Sequence, residues 1–348
     1  MRAITVVPGR SGSARLDEVP EPPERAGSVL VEAVALGICG TDLEIVGGNF
    51  GSAPPGRQRL VLGHESLGRV IDAPEGGGLD RDDLVVGIVR CPDPVPCPNC
   101  AVGEWDMCRN GRYTEHGIKE LDGFGSQRWR IEPEQAVKVG PGLGELGVLL
   151  EPASVVAKAW EHVERIGGRA RWEPRRALVT GAGPVGLLAA LLARQRGLEV
   201  HVLDRVTDGP KPDLVRDLGA VYHHGSVEDA CRHPDVAVEC TGAGQLVFDV
   251  MAGLGPNGIA CLTGMSSGGR TVGVDVGALT RELVLSNDVI VGSVNANRRH
   301  YQQAATALDK ADRDWLARLV TRRVALDRFE DALERGPGDV KVVLDFQL

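Results

Sequence analysis

Short apolar segments separated by turn residues occupy the N-terminal part of the chain. Five segments rich in Val and Leu lie at 3–7, 29–36, 60–63, 67–72 and 84–89, and Pro, Gly and Asp residues separate them. Short strands bounded by such turn residues are typical of a small β-barrel. The pattern therefore predicts an all-β, barrel-like domain, in which residues 37–42 form a glycine-containing turn.

The periodicity changes after a polar segment at 167–175. From there the sequence alternates a strand at 177–180, a glycine-rich turn at 181–186, a helix at 187–196, a strand at 198–203 and further strands at 236–240, 259–263 and 289–294. This alternation is typical of a parallel sheet with helices on both faces. The sequence therefore predicts an α/β protein with a doubly wound sheet, and a last strand at 340–346 is expected to rejoin the first domain.

Composition narrows the range of functions. The chain has 348 residues, enough for two domains, and a net charge of −9, which argues against nucleic acid and anionic membranes as partners. The N-terminal residues lack the apolar core of a signal peptide, and no apolar run is long enough to span a bilayer. We expect a cytoplasmic protein with a small-molecule substrate, in which the eight cysteines are reduced.

One group of candidate metal ligands is spread along the chain. Cys39 offers a thiolate, the adjacent pair His64 and Glu65 offers an imidazole and a carboxylate, and catalytic zinc accepts such donors. Glu151 follows an apolar run at 146–150 and precedes a predicted helix, where a buried carboxylate needs a cation nearby. The alternative is that Cys39 is a buried thiol and His64 a packed, hydrogen-bonded ring.

A second group of candidate metal ligands lies within one short stretch of the sequence. Cys97, Cys100 and Cys108 lie within 12 residues, and a Cys-x2-Cys core is typical of a structural zinc site with four ligands. Cys91 is a candidate fourth ligand, but its gap to Cys97 is longer than usual, so that Asp93 could close the site instead. The alternative is a metal-free loop that Trp105 and Met107 hold by packing.

The glycine-rich turn predicts a dinucleotide site. Its residues Gly181, Gly183, Pro184, Val185 and Gly186 have a strand before them, a helix after them and an acidic residue, Asp204, further on. Asp204 favours NAD because its carboxylate can accept ribose hydroxyls and would repel a 2′-phosphate, whereas Arg205 could pair with that phosphate and permit NADP. Ligands lie at strand ends in such sheets, which adds Thr241, Gly264 and Asn295 as cofactor contacts.

Taken together and in this order, these motifs resemble the zinc-dependent medium-chain alcohol dehydrogenases. The resemblance covers residues 37–42, Gly63 to Glu65, the cysteine cluster, Glu151 with Pro152 and the glycine-rich turn. Within that family, residues 113–118, 292–295 and 300–304 resemble the glucose (aldose) 1-dehydrogenases of the archaeal type. Val89 and Val155 depart from that branch, because aldose enzymes can carry polar sugar-binding groups there.

The resemblance implies a GroES-like catalytic domain at 1–154, a Rossmann domain at 155–297 and a C-terminal return at 298–348. It implies catalytic zinc on Cys39, His64, Glu65 and Glu151, a proton relay through Thr41, and sugar contacts by Glu115, Glu151 and Asn295. Hydride would pass from C1 of an aldose to NAD, or to NADP, and give the lactone. The alternatives are a polyol, cyclitol or secondary-alcohol dehydrogenase, or a nucleotide-binding sensor without catalysis.

The β-branched run at 289–294 suggests an oligomer. If this strand lies at the edge of the sheet, its unpaired backbone groups invite a second chain, and a two-fold axis closes the assembly. We therefore expect a homodimer or homotetramer, in which the cysteine cluster could supply a second interface. The alternative is an internal strand that is paired on both sides.

Overall fold

The computed structural model describes residues 1–266, 268 and 271–348. They form two compact units, one made of Met1–Ser154 with Asn295–Leu348 and the other of Val155–Val294. Among the described residues, no helix combines the length and the apolarity that crossing a membrane requires.

Short strands dominate the first part of the chain. In order, its strands and helices are β1 (Arg2–Val6), β2 (Arg15–Glu18), β3 (Val29–Ile38), α1 (Gly40–Val46), β4 (Leu60–Val61), β5 (Glu65–Asp72), β6 (Leu84–Gly87), β7 (Arg90–Cys91), α2 (Pro98–Ala101), β8 (Thr114–His116), β9 (Glu120–Leu121), β10 (Arg128–Ile131) and β11 (Ala136–Lys138). Short 3-10 helices lie at Glu24–Ala26, Trp105–Met107, Pro133–Gln135 and Gly144–Leu149. The helix α3 (Leu150–Gly167) then leads into the second unit.

Strands and helices alternate in the second unit. They are β12 (Arg176–Thr180), α4 (Pro184–Gln195), β13 (Glu199–Leu203), α5 (Pro210–Asp217), β14 (Val221–His223), α6 (Val227–Ala230), β15 (Val236–Glu239), α7 (Gly244–Ala252), β16 (Ile259–Leu262), α8 (Val276–Ser286) and β17 (Val289–Gly292). The chain ends with α9 (Arg298–Asp309), α10 (Arg313–Leu319), β18 (Val320–Ala325), a 3-10 helix at Leu326–Arg328, α11 (Phe329–Leu333) and β19 (Lys341–Asp345).

The main sheet of the first unit is built around the long strand β3. The strand order is β11–β6–β5–β3–β19–β18, and β10 also pairs with β3. The first half of β3 pairs with β10 and its second half with β19, while β5 runs along its other edge. Buried apolar side chains, including Ile4, Val31 and Phe124, fill its core. The predicted barrel-like domain is confirmed, with two small three-stranded sheets beside it.

The second unit contains six parallel strands in the order β14–β13–β12–β15–β16–β17. This is the predicted doubly wound sheet. The glycine-rich turn connects its central strand β12 to α4, and the packing there is tight. A Cβ built on Gly186 would lie 1.7 Å from the carbonyl oxygen of Gly181, so only glycine fits this close approach.

One prediction about the first unit needs correction. Residues 37–42 are not a turn, because Gly37 and Ile38 end β3 and Cys39 is the N-cap of α1. The sequence interpretation missed this helix because its two glycines suggested a loop. The Asp42 side chain accepts a hydrogen bond from the backbone N–H of Cys39, at 2.8 Å, and so stabilises the first turn of the helix.

Candidate active site and metal-binding groups

Three predicted ligands from separate elements come together in the first unit. The ligand atoms of Cys39, His64 and Glu65 all lie within 4.8 Å of one another. Cys39 precedes α1, and Glu65 opens β5 directly after His64. Gly37 permits this arrangement, since a Cβ there would meet the Glu65 carboxylate at 2.1 Å. A thiol, an imidazole and a carboxylate in this arrangement fit a zinc ion.

A buried carboxylate supports His64. Asp42 is fully buried, and its Oδ1 lies 3.3 Å from His64 Nδ1. Burial opposes the charged imidazolium, but the Asp42 carboxylate outweighs it and holds the pKa of His64 well above its usual value. A histidine that binds metal through one ring nitrogen usually donates the other N–H to such a carboxylate. Within the described part of the chain neither Nδ1 nor Oδ1 makes a hydrogen bond, so the two atoms approach each other as an ion pair, and Nε2 is left for a metal.

A buried lysine pairs with Glu65. Lys341 on β19 places its Nζ 2.7 Å and 2.5 Å from the two carboxylate oxygens and 3.3 Å from the carbonyl oxygen of Ile38. Both side chains of the pair are almost completely buried. Burial alone would lower the pKa of Lys341, but Glu65 and Cys39 raise it. The sequence interpretation missed Lys341, although a lone lysine in the otherwise apolar strand at 340–344 was a usable signal.

Glu151 and Thr41 lie beside this group. Glu151 is buried at the start of α3, and its pKa is raised to about 7, first by burial and then by the charge of Glu65, against the effect of His64. It does not join the compact group of three ligand atoms. The Thr41 hydroxyl lies 3.9 Å from Cys39 Sγ, in the first turn of α1. Glu151 and Thr41 therefore lie beside the candidate zinc ligands.

Two of the three predicted sugar contacts, Glu115 and Asn295, contact each other directly. Glu115 is buried on β8, and Asn295 Nδ2 donates a hydrogen bond to its Oε1 at 2.7 Å. Asn295 has a φ of 63°, a left-handed conformation that asparagine tolerates better than most residues. Arg90, which the sequence interpretation did not single out, also contacts Glu115, with its Nη2 2.9 Å from Oε1.

The second metal group comprises Cys97, Cys100 and Cys108, whose sulfur atoms lie within 4.8 Å of one another. Cys97 is the N-cap of α2, and its sulfur accepts N–H groups from Arg109 at 3.4 Å and from Cys100 at 3.5 Å. These hydrogen bonds lower the pKa of Cys97 to about 6. Burial instead raises the pKa of Cys100. Three converging thiols, one of them stabilised as a thiolate, fit a structural zinc ion.

Among the described residues, neither candidate for the fourth ligand, Cys91 or Asp93, belongs to the group of three thiols. Cys91 lies on β7, where its sulfur contacts Gln135 Oε1 at 3.7 Å and burial raises its pKa to about 11. The buried Asp93 accepts a hydrogen bond from the Val95 N–H through Oδ1 at 2.8 Å. Strand pairing between Cys91 and Thr114 holds Cys91 away from the other three cysteines.

The glycine-rich turn of the second unit has the geometry of a dinucleotide site. Gly181 has a φ of 88°, Gly183 is the N-cap of α4, and Pro184 follows at the first helical position. The N–H groups at the start of α4 favour an anionic phosphate. Thr241 and Gly264 follow β15 and β16, at the carboxyl edge of the sheet.

Asp204 makes contacts that the sequence did not predict. Its Oδ2 accepts the N–H of Ala182 at 2.6 Å, and its Oδ1 accepts the N–H of Val206 at 3.0 Å. Lys211 Nζ lies 3.6 Å from the same carboxylate, whereas Arg205 is exposed. The carboxylate thus braces the glycine-rich turn, and a lysine already balances its charge.

Two family profiles match the chain. The alcohol dehydrogenase GroES-like domain matches residues 25–141, and the glucose dehydrogenase C-terminus matches residues 144–346. Glucose 1-dehydrogenase 1 of Caldivirga maquilingensis is 40% identical over 353 residues, which cover 99% of each chain. The glucose 1-dehydrogenase of Thermoproteus tenax is 40% identical over 356 residues, which cover 100% of each chain.

A solved structure agrees with these matches. The glucose dehydrogenase of Haloferax mediterranei, in complex with NADP, Zn and gluconolactone, superimposes with a TM-score of 0.92 at 32% identity and covers 99% of each chain. The resemblance that the sequence motifs indicated is therefore confirmed. The chain belongs to the glucose dehydrogenase family, a branch of the zinc-dependent medium-chain alcohol dehydrogenases.

Proposed function

We propose that the protein is a zinc-dependent aldose 1-dehydrogenase that transfers hydride from C1 of glucose or a similar aldose to NAD or NADP and forms the lactone. The observation that carries this proposal is the compact group of Cys39, His64 and Glu65, in which Asp42 pairs with His64 and Lys341 pairs with Glu65. Relatives of matching length are named glucose 1-dehydrogenases, and the Haloferax mediterranei enzyme was solved with gluconolactone.

The residues of the first unit would perform two tasks, zinc binding and proton transfer. Cys39, His64 and Glu65 would hold zinc, with Glu151 beside them, and zinc there supplies a Lewis acid that lowers the pKa of the sugar hydroxyl. The Thr41 hydroxyl would take up the proton that leaves the anomeric hydroxyl and pass it on. In this proposal Met1–Ser154 with the C-terminal return is the catalytic part of the chain.

Three side chains would recognise the sugar. Glu115, Glu151 and Asn295 offer acceptors and an amide donor, which suit a ring that carries several hydroxyl groups. Glu151 would contribute a buried carboxylate that can accept a hydrogen bond from a sugar hydroxyl. These groups would hold the sugar in a defined orientation, and the nicotinamide would perform the redox step.

Residues of the second unit would bind the cofactor. The turn from Gly181 to Gly186 would hold the pyrophosphate, with Thr241 and Gly264 at neighbouring strand ends. We propose NAD as the preferred cofactor because Asp204 ends the second strand of the nucleotide fold. NADP is the second cofactor, since Lys211 balances the Asp204 carboxylate and Arg205 is exposed beside it.

A substrate panel tests this function. Aldoses, cyclitols, polyols and secondary alcohols are each supplied with NAD and with NADP, and the absorbance of reduced nicotinamide is followed. We expect aldoses to give the highest kcat/KM, with lactone as the product. Preference for an open-chain polyol or for a cyclitol would replace the aldose assignment. The absence both of zinc and of turnover in freshly purified protein would favour a nucleotide-binding sensor.

We also propose a homodimer or homotetramer in a reducing compartment, the cytoplasm. Within the described residues, β17 pairs only with β16, and its residues Val289, Ile290 and Val291 are partly exposed. A free β edge of this kind favours pairing about a two-fold axis. All eight cysteines are free thiols, which suits reducing conditions. Light scattering that returns the 36.9 kDa monomer mass would overturn the oligomer proposal.

A further inference from the structure

A buried arginine contacts both the proposed sugar-binding wall and the three-cysteine segment. Arg90 is 5% exposed and lies opposite Glu115 across the β7–β8 pair. Its Nε donates to Glu115 Oε1 at 3.0 Å, and its Nη1 donates to the backbone carbonyl oxygen of Asp106 at 2.9 Å. The ring of Tyr113 covers the guanidinium at 3.8 Å. A planar guanidinium with several fixed donors holds two acceptors in a defined geometry.

The second link starts at the Asp106 side chain. Asp106 lies in the 3-10 helix Trp105–Met107, between the second and third cysteines of the metal group, and is 4% exposed. Its Oδ1 accepts a hydrogen bond from Asn297 Nδ2 at 2.7 Å. Asn297 is itself buried and is the N-cap of α9. The cysteine segment is therefore fastened to the start of α9 by a buried side-chain contact.

These contacts close into a ring. Asn297 lies two residues after Asn295, and Asn295 Nδ2 donates to Glu115 Oε1, the same oxygen that accepts from Arg90. The ring runs from Asp106 through Arg90, Glu115 and the segment 295–297 back to Asp106. The described contacts of the Glu115 carboxylate all fall on Oε1, which leaves Oε2 to accept from a substrate hydroxyl.

We infer that Arg90 and Asp106 are positioning residues that make the geometry of the sugar-binding pair Glu115 and Asn295 depend on the order of the three-cysteine segment. This inference rests on the proposed function for the identity of the ligand, but the ring itself consists only of residues in the first unit. Fully connected buried polar networks fix one arrangement of their members, and removal of one member loosens the others.

Kinetics with variants of the ring test the inference. Arg90→Met has a side chain of similar length but removes the donors to Glu115 and to the Asp106 carbonyl oxygen, and we expect the KM for the aldose to rise about tenfold because Glu115 is no longer held in place. Asp106→Ala should raise this KM about threefold, because it acts through its neighbours. In both variants kcat and the affinity for the cofactor should stay within about twofold of the wild type. Arg90→Lys should restore part of the lost affinity.

A double-mutant cycle separates positioning from general destabilisation. If Asp106 acts through Glu115, Asp106→Ala should raise the KM in the wild-type background and have no further effect in a Glu115→Gln background. Equal effects in the two backgrounds would overturn the inference. The matched control is Asn110→Ala, which removes the hydrogen bonds of the Asn110 side chain to the carbonyl oxygen of Val95 and to the Asp93 side chain and leaves the ring intact. This control should leave the KM unchanged.

Hydrogen exchange supplies a readout that needs no substrate. In the zinc-loaded full-length protein, Asp106→Ala should increase amide exchange in peptides that cover 114–121 and 295–300, whereas Asn110→Ala should not. Unchanged exchange in both segments would overturn the coupling, whatever the enzyme oxidises. If the exchange increases but the wild-type protein oxidises no aldose, the coupling stands and the proposed function fails.

Discussion

The two candidate metal groups of the first unit balance their charge in different ways. In the group of Cys39, His64 and Glu65, side chains from other elements supply the balance, with Lys341 on Glu65 and Asp42 on His64. The group of Cys97, Cys100 and Cys108 instead draws on backbone N–H groups from its own segment, from Cys100 and Arg109. One group depends on the tertiary fold, and the other is mostly local.

This difference matches the two roles that zinc takes in proteins. A catalytic site keeps a position for substrate and tunes its ligands with surrounding charges, whereas a structural site is closed by its ligands. Glu151, with a pKa of about 7, stands beside the first group and gives it a titratable neighbour. Replacing a cysteine should therefore lower the reaction rate when it lies in the first group and lower the stability of the fold when it lies in the second.

The largest effect should come from Cys39→Ala. Loss of a zinc ligand removes the Lewis acid, which supplies several kcal/mol of transition-state stabilisation, so kcat should fall by at least about 10³-fold. Cofactor affinity should be retained, because the glycine-rich turn lies in the other unit. Steady-state kinetics, cofactor titration and metal analysis measure these quantities. One zinc ion per chain should remain.

The control for this comparison is Cys97→Ser in the second group. It should lower the melting temperature and the zinc content while a larger share of kcat survives. A Cys39→Ala variant with wild-type turnover, or a Cys97→Ser variant as inactive as Cys39→Ala, would remove the distinction between the two groups.

The second largest effect should be a loss of stability in Lys341→Met. In Lys341→Met the Glu65 carboxylate stays buried without its partner, and breaking a buried ion pair costs about 3–5 kcal/mol. We expect a loss of this size in the free energy of unfolding of the zinc-free protein, measured with urea. Zinc should reduce the loss, because a metal ion can replace the missing positive charge next to Glu65.

Two variants check this interpretation. Lys341→Arg keeps the charge and should lose less stability, and Glu65→Gln added to Lys341→Met should restore part of it because no buried charge remains. If zinc made the Lys341→Met loss larger instead of smaller, the balance of charge proposed for the first group would be wrong.

The same contrast explains what the sequence could predict. The Cys-x2-Cys spacing and the turn from Gly181 to Gly186 are local patterns, and the structure places each as one compact feature. The donors Cys39 and His64 could be predicted because each lies in a short motif. Lys341 reaches Glu65 only because β19 pairs with β3, and that pairing joins residues about 300 positions apart.

Other parts of the site depend on local backbone structure or on contacts that sequence spacing does not reveal. The glycines around Cys39 suggested a turn, yet the hydrogen bond from the Cys39 N–H to Asp42 starts a helix there. Cys91 has an acceptable spacing, but strand pairing to Thr114 fixes it on β7. Asp204 is predicted to accept the ribose hydroxyls, and in the structure its oxygens also accept the N–H groups of Ala182 and Val206. Spacing alone does not reveal such partners.

A pH titration that compares the two metal groups also has to account for His116, a buried histidine that belongs to neither group. Burial lowers its pKa from 6.5 to about 4, while its Nδ1 donates to the carbonyl oxygen of Asp122 at 2.8 Å. Below pH 6.5 the unfolded chain binds a proton that the folded chain refuses until about pH 4, so stability falls as the pH drops through this window. The difference corresponds to about 3 kcal/mol at most.

His116→Gln should flatten this loss, because glutamine does not titrate and its amide can still donate to the Asp122 carbonyl oxygen. The measured quantity is the change in unfolding free energy between pH 7 and pH 5 for variant and wild type, both loaded with zinc. Zinc release affects both proteins alike and cancels in the difference. An identical pH dependence would mean that the pKa of His116 is the same in the folded and the unfolded protein.

The smallest effect should come from Cys91→Ser, a variant that tests whether Cys91 is a zinc ligand of the second group. If Cys91 were a zinc ligand, its replacement would remove a metal bond and destabilise the cysteine segment strongly. In the structure its sulfur makes weak contacts with Gln135 Oε1, at 3.7 Å, and with the Thr114 side chain, and it lies outside the group of three thiols that the described residues form. Serine is similar in size and can donate to the same oxygen, so we expect less than about 1 kcal/mol of lost stability. The zinc content should stay at two ions per chain, measured by metal analysis beside a Cys100→Ser variant, which should lose one. Loss of a zinc ion from Cys91→Ser itself would show that β7 moves to deliver a fourth thiolate when the metal binds.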